Sequence, residues 1–451
     1  PSLLTLAGYF SDIFAYSAAD FTDYINLKPL NPITHYFFSD GSQLYSRPLP
    51  YFLDEIENFA PSDREGMERY FQHSRVMYEI SDGMFLRNPI NHWKDGGIFQ
   101  SVRNLSLLGS MDLFRTMNQA SSSFVQDWRL RQFLNRFATY NGSDPFRAPA
   151  ALHAIAWVEH GLPVYVPEGG IVEIPRALEK RCIELGVNFH YSHELMELQP
   201  HGMQHQGSAW KLLFRGGSSF SAAHIILDID IRIWYTHIMK KMAGQSFQNK
   251  INTHFRGDQS RSAIVFFWGI NAAFSELNLH NVFFSSNYEK EFHEIHKEHM
   301  FPSDPTIYVH ITSKNCSTDA PPERENWFVM VNAPCIRKDS RANIELLRRT
   351  VLRKLSGHLG RNVEALIEEE RILTPELIEE ETGSYRGSLY GMSSNSILSA
   401  FRRHPNTSPY FTGIYHCGGS VHPGGGMPLA LSSGIIAAKS FLKNNGGKFC
   451  Y

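Results

Sequence analysis

Between Gly413 and Gly434 the chain reads Gly-Ile-Tyr-His-Cys-Gly-Gly-Ser-Val-His-Pro-Gly-Gly-Gly-Met-Pro-Leu-Ala-Leu-Ser-Ser-Gly, a segment that few folds accommodate. Residues 413–417 are strand-like, and the glycine-dense stretch after them can only be a turn. Pro428 opens a helix to about Leu442, because proline is tolerated in the first helical turn, where its missing N–H costs nothing. Glycines carry no Cβ, so backbone N–H groups at such a helix start can approach a flat or anionic ligand closely. The helix dipole adds partial positive charge at the same point. A glycine turn also serves close packing of strand on helix, and spacing alone does not separate the two roles. His422 reads either as a turn histidine or as a general base.

The rest of the chain fits an α/β protein. At 451 residues it is too long for one core, which predicts two domains. Alternation over 33–47, turning at Ser39-Asp40-Gly41-Ser42, predicts a hairpin. Ser62 and Glu65 form a capping-box pattern ahead of a helix reaching Met84, and residues 98–140 are mostly helical with a break at Gly109-Ser110. A strand at 164–167, a helix at 174–185 and a second strand at 187–190 follow. A polar hairpin at 193–221 leads to a strand at 225–227. Further strands are expected at 263–268, 281–284, 306–311 and 327–332, and helices at 341–357 and 363–370.

Composition excludes several function classes. A formal net charge of −2 gives no electrostatic reason for a nucleic-acid partner. No apolar run reaches the roughly 18 to 20 residues of a membrane span, so membrane contact would be peripheral. The five cysteines never form C-x-x-C and read as reduced thiols of an intracellular protein. No serine sits in G-x-S-x-G, so a hydrolase triad finds no support. His293, His296 and His299 drift around a helix and read as a polar face, so no metal is expected. Arg402-Arg403-His404 reads as a solvated loop, or as a contact to lipid headgroups. The 32 Phe and 19 Tyr fit a large apolar cavity or a large core. Phe266, Phe267 and Trp268 on one strand can line the first or fill the second. Tyr140 and Asn141 close a helix, as a turn or as a substrate contact.

Residues 418–428 resemble the C-terminal flavin signature of the phytoene desaturase family, the FAD-dependent carotenoid desaturases. Residues 382–395, 137–150 and 165–176 resemble other family segments, in family order. Residues 266–270, 279–284, 304–308 and 325–332 are similar to the bacterial branch that includes hydroxycarotenoid 3,4-desaturases. The resemblance implies a two-domain flavoprotein oxidoreductase fold. An incomplete Rossmann-like FAD domain would comprise 160–232 and 380–451. A mixed-sheet substrate domain, with a helical membrane-facing part, would comprise 1–159 and 233–379.

The implied FAD contacts are Gly418, Gly419, Ser420, Pro423, Gly424, Gly425, Gly426, Met427 and Pro428. The implied substrate contacts are Tyr140, Phe266 and Trp268, with His422 or a water it holds as proton acceptor. The implied reaction is desaturation of an acyclic carotenoid by hydride transfer to flavin, with quinone or oxygen as electron acceptor, in a cytoplasmic protein at the membrane surface. A carotenoid isomerase, a saturase or a non-catalytic apolar-ligand binder would share this scaffold.

Two departures stand out. The family's opening G-x-G-x-x-G unit is absent, and Pro1 reads as lying inside the family's entry to the substrate domain. Asp228 replaces the usual small or amide residue at the end of strand 225–227, where it would either oppose negative charge on a flavin or face solvent.

Overall fold

A seven-stranded mixed sheet organises the larger part of the molecule. The computed structural model describes residues 2–90, 111–201, 209–239, 247, 251, 255, 258–336, 341–396, 399 and 402–447. The expected helical stretch 98–110, with its break at Gly109-Ser110, and Cys450 lie outside them.

The chain enters with helix α1 (Ala7–Tyr16), strand β1 (Leu27–Pro29) and the hairpin β2 (Thr34–Phe37) and β3 (Gln43–Ser46). Gly41 takes φ 84° in the hairpin's turn, as a glycine there should. Four helices follow: α2 (Tyr51–Phe59), α3 (Arg64–Ser81), α4 (Met117–Phe124) and α5 (Trp128–Asn135). Strand β4 (Tyr165–Pro167) pairs antiparallel with β1 and leads into α6 (Glu173–Glu184). Strands β5 (Leu195–His201), β6 (Ala209–Phe214) and β7 (Ser219–Ala222) form a small antiparallel sheet beside β8 (Ile225–Leu227).

The large sheet takes its remaining strands from β9 (Ser262–Ile270), β10 (His280–Phe283), β11 (Ile307–Ile311) and β12 (Glu325–Ala333). Helix α7 (Arg341–Leu359) and strand β13 (Ile367–Leu373) complete it, in the order β13-β9-β12-β11-β10-β2-β3. Within this sheet only β10 and β2 run parallel among the described residues. Strand β14 (Ile414–His416) pairs parallel with β8, and α8 (Met427–Asn444) closes the fold.

Side chains alternate between the faces of each strand. Trp327, Val329 and Val331 of β12 join Phe266 and Trp268 of β9 under Val351 and Leu355 of α7. The other face meets the helical layer, where Tyr36, Val282 and Phe284 pack on Phe52, Tyr70 and Phe133. Within that layer Arg136 is buried against Glu159 at 2.7 Å, and Tyr140 donates to Glu159 from the other side.

Three local expectations fail for tertiary reasons. Of the helix expected at 363–370 only a 3-10 turn at Glu364–Leu366 forms; residues 367–370 open the edge strand, because backbone pairing with β9 outweighs the helix preference of the run Glu368-Glu369-Glu370. Its charged, exposed residues suit a sheet edge. Ser62 does not cap α3. A 3-10 turn at Pro61–Asp63 runs straight into the helix, and Asp63 instead accepts the N–H groups of Gln126 and Asp127 at 2.8 and 2.7 Å. Residues 187–190 are extended but unpaired, since Val187 N–H bonds back to Cys182 O at the end of α6.

Candidate functional site

The turn between β14 and α8 is fastened at several points. Gly418, at φ 92°, donates its N–H to Ser433 Oγ at 2.7 Å, so the helix's second turn caps the turn that precedes it. Asn406 Nδ2 donates to the carbonyls of His416, His422 and Ser433 at 3.2, 2.9 and 3.3 Å, tying strand, turn and helix together. Ser420 Oγ accepts from Ile231 N–H at 3.0 Å. Sequence reasoning missed Asn406, because an asparagine eight residues before a strand carries no local signal.

The glycines divide by what surrounds them. A Cβ on Gly425 would lie 2.5 Å from Tyr390 Cδ1, and one on Gly424 would lie 3.2 Å from Arg403 Cζ. A Cβ on Gly418 would lie 1.8 Å from Asp228 Oδ1. Those positions are bare for packing. Gly426, at φ 102°, is exposed and has open space where its Cβ would be. Among the described residues, the N–H groups of Gly424, Gly425, Gly426 and Met427 donate to no protein acceptor. The turn therefore closes on the protein at one end and leaves a donor-rich edge free at the other, with the positive end of α8 behind it. Pro423, Met427 and Pro428 are half-buried beside that edge.

His422 is buried, and its Nε2 donates to Asn88 O at 2.8 Å. Burial holds its pKa below the ordinary histidine value, against the opposing backbone carbonyls of Asn88 and Phe85, so the ring is neutral at pH 7. The carboxyl of Asp228 sits against Gly418, on an otherwise exposed residue, and desolvation by the surrounding protein raises its pKa.

Distant segments converge under this turn. Asn141 Nδ2 donates to Ser394 Oγ at 2.7 Å, Ser394 N–H to Ser143 Oγ at 3.0 Å and Asp144 N–H to Asn395 Oδ1 at 2.8 Å. Residues 137–150 and 382–395, separately recognisable in the sequence, thus form one polar layer. Two arginines lie in it. Arg261 is buried, and its Nη1 and Nη2 have no hydrogen-bond partner among the described residues. Arg403 and His404, expected in a solvated loop, are also buried. Arg403 donates to Met392 O at 3.1 Å, while Tyr235 Oη lies 2.9 Å from His404 Nε2. Nothing local marks these charges as buried, because the atoms that bury them come from other parts of the chain.

A cavity of about 550 Å³ opens on the face of the large sheet opposite α7, between its strands and Ser2, Val166 and Ile171. Phe267, Phe328 and His310 form its aromatic wall. Trp268 borders the cavity and donates Nε1–H to Glu370 at 2.6 Å. Phe266 does not reach it: strand alternation turns that ring into the opposite, α7-covered core. Tyr140 is held in the Arg136–Glu159 network instead, with Arg136 Nη1 donating to its hydroxyl at 3.2 Å. His293, His296 and His299 gather no metal site: among the described residues no cluster of three or more metal-ligating side chains occurs. No helix among them is long and apolar enough to cross a membrane.

No family model matches the chain. It is 33% identical over 97% of its length to a 1-hydroxycarotenoid 3,4-desaturase of Flavobacterium sp., covering 88% of that protein. It is 27% identical over 97% of its length to a 4,4'-diapolycopene oxygenase of Methylomonas sp, covering 86%. Among solved structures, it matches wild-type putrescine oxidase bound to putrescine with a TM-score of 0.56 at 12% identity, over 98% of this chain and 86% of that one. An oxidoreductase from Methanosarcina mazei matches with a TM-score of 0.55 at 11% identity, over 92% and 81%. At such identities the structural likeness speaks for the two-domain fold alone.

Proposed function

Because the chain belongs to the family of carotenoid desaturases and carotenoid oxygenases, we propose that it is an FAD-dependent oxidoreductase that desaturates an acyclic carotenoid in carotenoid biosynthesis. The observation that carries the cofactor assignment is the free edge at Gly426 and Met427, where unbonded N–H groups and the start of an 18-residue helix meet open space. Gly418, Gly419, Ser420, Pro423, Gly424, Gly425 and Pro428 complete the cradle. In this reading residues 160–232 and 380–451 hold the flavin, and residues 1–159 and 233–379 hold the substrate.

Bound FAD supplies a hydride acceptor. Desaturation takes one hydrogen from a carbon of the chain as hydride and one from its neighbour as a proton, and the bond between them becomes double. A polyene has no polar handle, so aromatic walls such as Phe267 and Phe328 must orient it by apolar contact. Orientation carries much of the barrier reduction in a reaction of this type. His422, with a neutral ring, receives the proton directly or through a water. An apolar substrate reaches the protein from a bilayer, which favours peripheral membrane association in the cytoplasm, and a quinone or oxygen removes the electrons. A second reading, oxygenation of the carotenoid, is favoured by the oxygenase names of relatives 27% and 28% identical.

Product analysis separates the readings. The protein is loaded with FAD, desalted and supplied with an acyclic hydroxycarotenoid in lipid vesicles. Retained flavin and a product lighter by two hydrogens are expected. A product carrying new oxygen selects the oxygenase reading, and unchanged mass with altered geometry selects an isomerase. Failure to retain FAD overturns the cofactor assignment.

A further inference from the structure

Among the described residues, Arg403 is a buried cation with no anion beside it. It is 4% exposed, and its guanidinium donates only to neutral oxygens: Met392 O at 3.1 Å, Asn141 Oδ1 at 3.4 Å and Tyr390 O at 3.5 Å. Desolvation lowers its pKa to about 10, which still leaves it charged at pH 7. Taking such a charge out of water costs several kcal/mol unless something repays it. The repayment is not structural, since three carbonyl acceptors can be satisfied by neutral donors. The side chain lies directly under the glycine turn, with Cζ 3.2 Å from the point where a Cβ on Gly424 would sit. The positive end of α8 begins three residues further on, at Met427. Two positive fields therefore converge on the same edge, an arrangement unfavourable in the empty protein and favourable only toward a ligand that carries or acquires negative charge.

We propose that Arg403 is a positioning residue of the redox reaction: its charge stabilises the negative charge that the flavin ring system acquires on accepting hydride, making the bound cofactor a better acceptor. The inference rests on the proposed FAD site. It assigns to Arg403 an electrostatic role through Gly424 and requires no direct contact with the carotenoid. Hydride uptake adds two electrons and one proton to the oxidised ring, so the product is an anion unless a second proton follows. A fixed cation behind the turn lowers the energy of that anion without having to move.

The test uses sulfite, which adds to oxidised flavin and places a negative charge in the same ring system. Sulfite binding is titrated by loss of the visible flavin band in the full chain loaded with FAD, in Arg403→Gln, in Arg403→Lys and in the exposed neighbour Arg402→Gln. The unaltered protein is expected to form the adduct at millimolar sulfite. Arg403→Gln should weaken it by about tenfold or more, as loss of one nearby unit charge in a partly buried setting requires. Arg403→Lys should restore most of the affinity, and Arg402→Gln should leave it unchanged. A Gln variant that holds FAD and binds sulfite as tightly as the unaltered protein overturns the inference. So does an unaltered, FAD-loaded protein that forms no adduct, and this result decides the matter even where the Gln variant does not fold. Failure of the unaltered protein to take up FAD would instead overturn the cofactor reading itself.

Discussion

Arg136 and Arg403 are both buried arginines, and they are buried for opposite reasons. Arg136 lies in the helical layer against Glu159 at 2.7 Å, stacked within 5.1 Å of the Tyr36, Phe137 and Tyr140 rings. Its charge is balanced within the fold, and its neighbours raise its pKa well above the ordinary arginine value despite the desolvation that opposes them. Among the described residues Arg403 has carbonyl partners and no carboxylate, and burial lowers its pKa. The first region uses charge to hold aromatic packing together. The second keeps charge uncompensated beside a turn whose outer edge is open. A structural charge is expected to be neutralised where it stands, whereas a functional one waits for its counterpart.

The sharpest way to break this comparison is to remove each cation. Arg136→Met leaves Glu159 buried without its cation, with only the Tyr140 hydroxyl still donating to it, and should cost about 3–5 kcal/mol of stability in urea unfolding. Arg403→Met should cost less than half as much, because it also removes an unpaid desolvation. Equal losses would make Arg403 structural.

The two faces of β9 offer a comparable contrast. Phe266→Ala empties a core site and should cost about 3–5 kcal/mol. Phe267→Ala, on a residue 39% exposed at the cavity, should cost under about 1 kcal/mol while lowering carotenoid turnover.

At the turn, Gly425→Ala meets Tyr390 and should destabilise by about 1–3 kcal/mol through overpacking. Gly426→Ala meets no neighbour, so any loss of FAD retention beyond the cost of its positive φ reports on the open edge.

Acid should weaken the fold, in part through the helical layer. Burial lowers the pKa of His153 to about 3, so the folded state binds fewer protons than the unfolded state between that value and the ordinary 6.5. Its stabilising contribution is complete above about 6.5 and is lost as pH falls. The urea midpoint should drop between pH 7 and 5, less steeply in His153→Phe.

The smallest effect is expected at Asp228. Asp228→Asn removes an opposing carboxylate at Gly418 and should tighten sulfite binding by about twofold, a modest gain because the residue is exposed.

Much of the scaffold could be read locally. The hairpin at β2 and β3, the helix α6 and the strand–turn–helix from β14 into α8 follow from alternation, glycine conformation and proline position within short windows. The misreadings share a cause. Residues 367–373 became a strand because β9 offered backbone partners, and residues 187–190 stayed unpaired because none lay alongside among the described residues. Ser62 caps nothing, and the neighbouring Asp63 carboxylate is taken up by the N–H groups of Gln126 and Asp127, more than sixty positions away.

The candidate site divides along the same line. Local sequence determined the glycine turn, the helix behind it and the family to which the chain belongs, because backbone conformation and motif spacing are properties of adjacent residues. Tertiary structure alone decided that Phe267 faces the cavity and Phe266 the core, that Asn406 ties the turn together and that Arg403 is a buried charge. Burial and electrostatic environment are set by atoms brought from elsewhere: the Asn141 side chain that accepts from Arg403 lies 262 positions away in the chain.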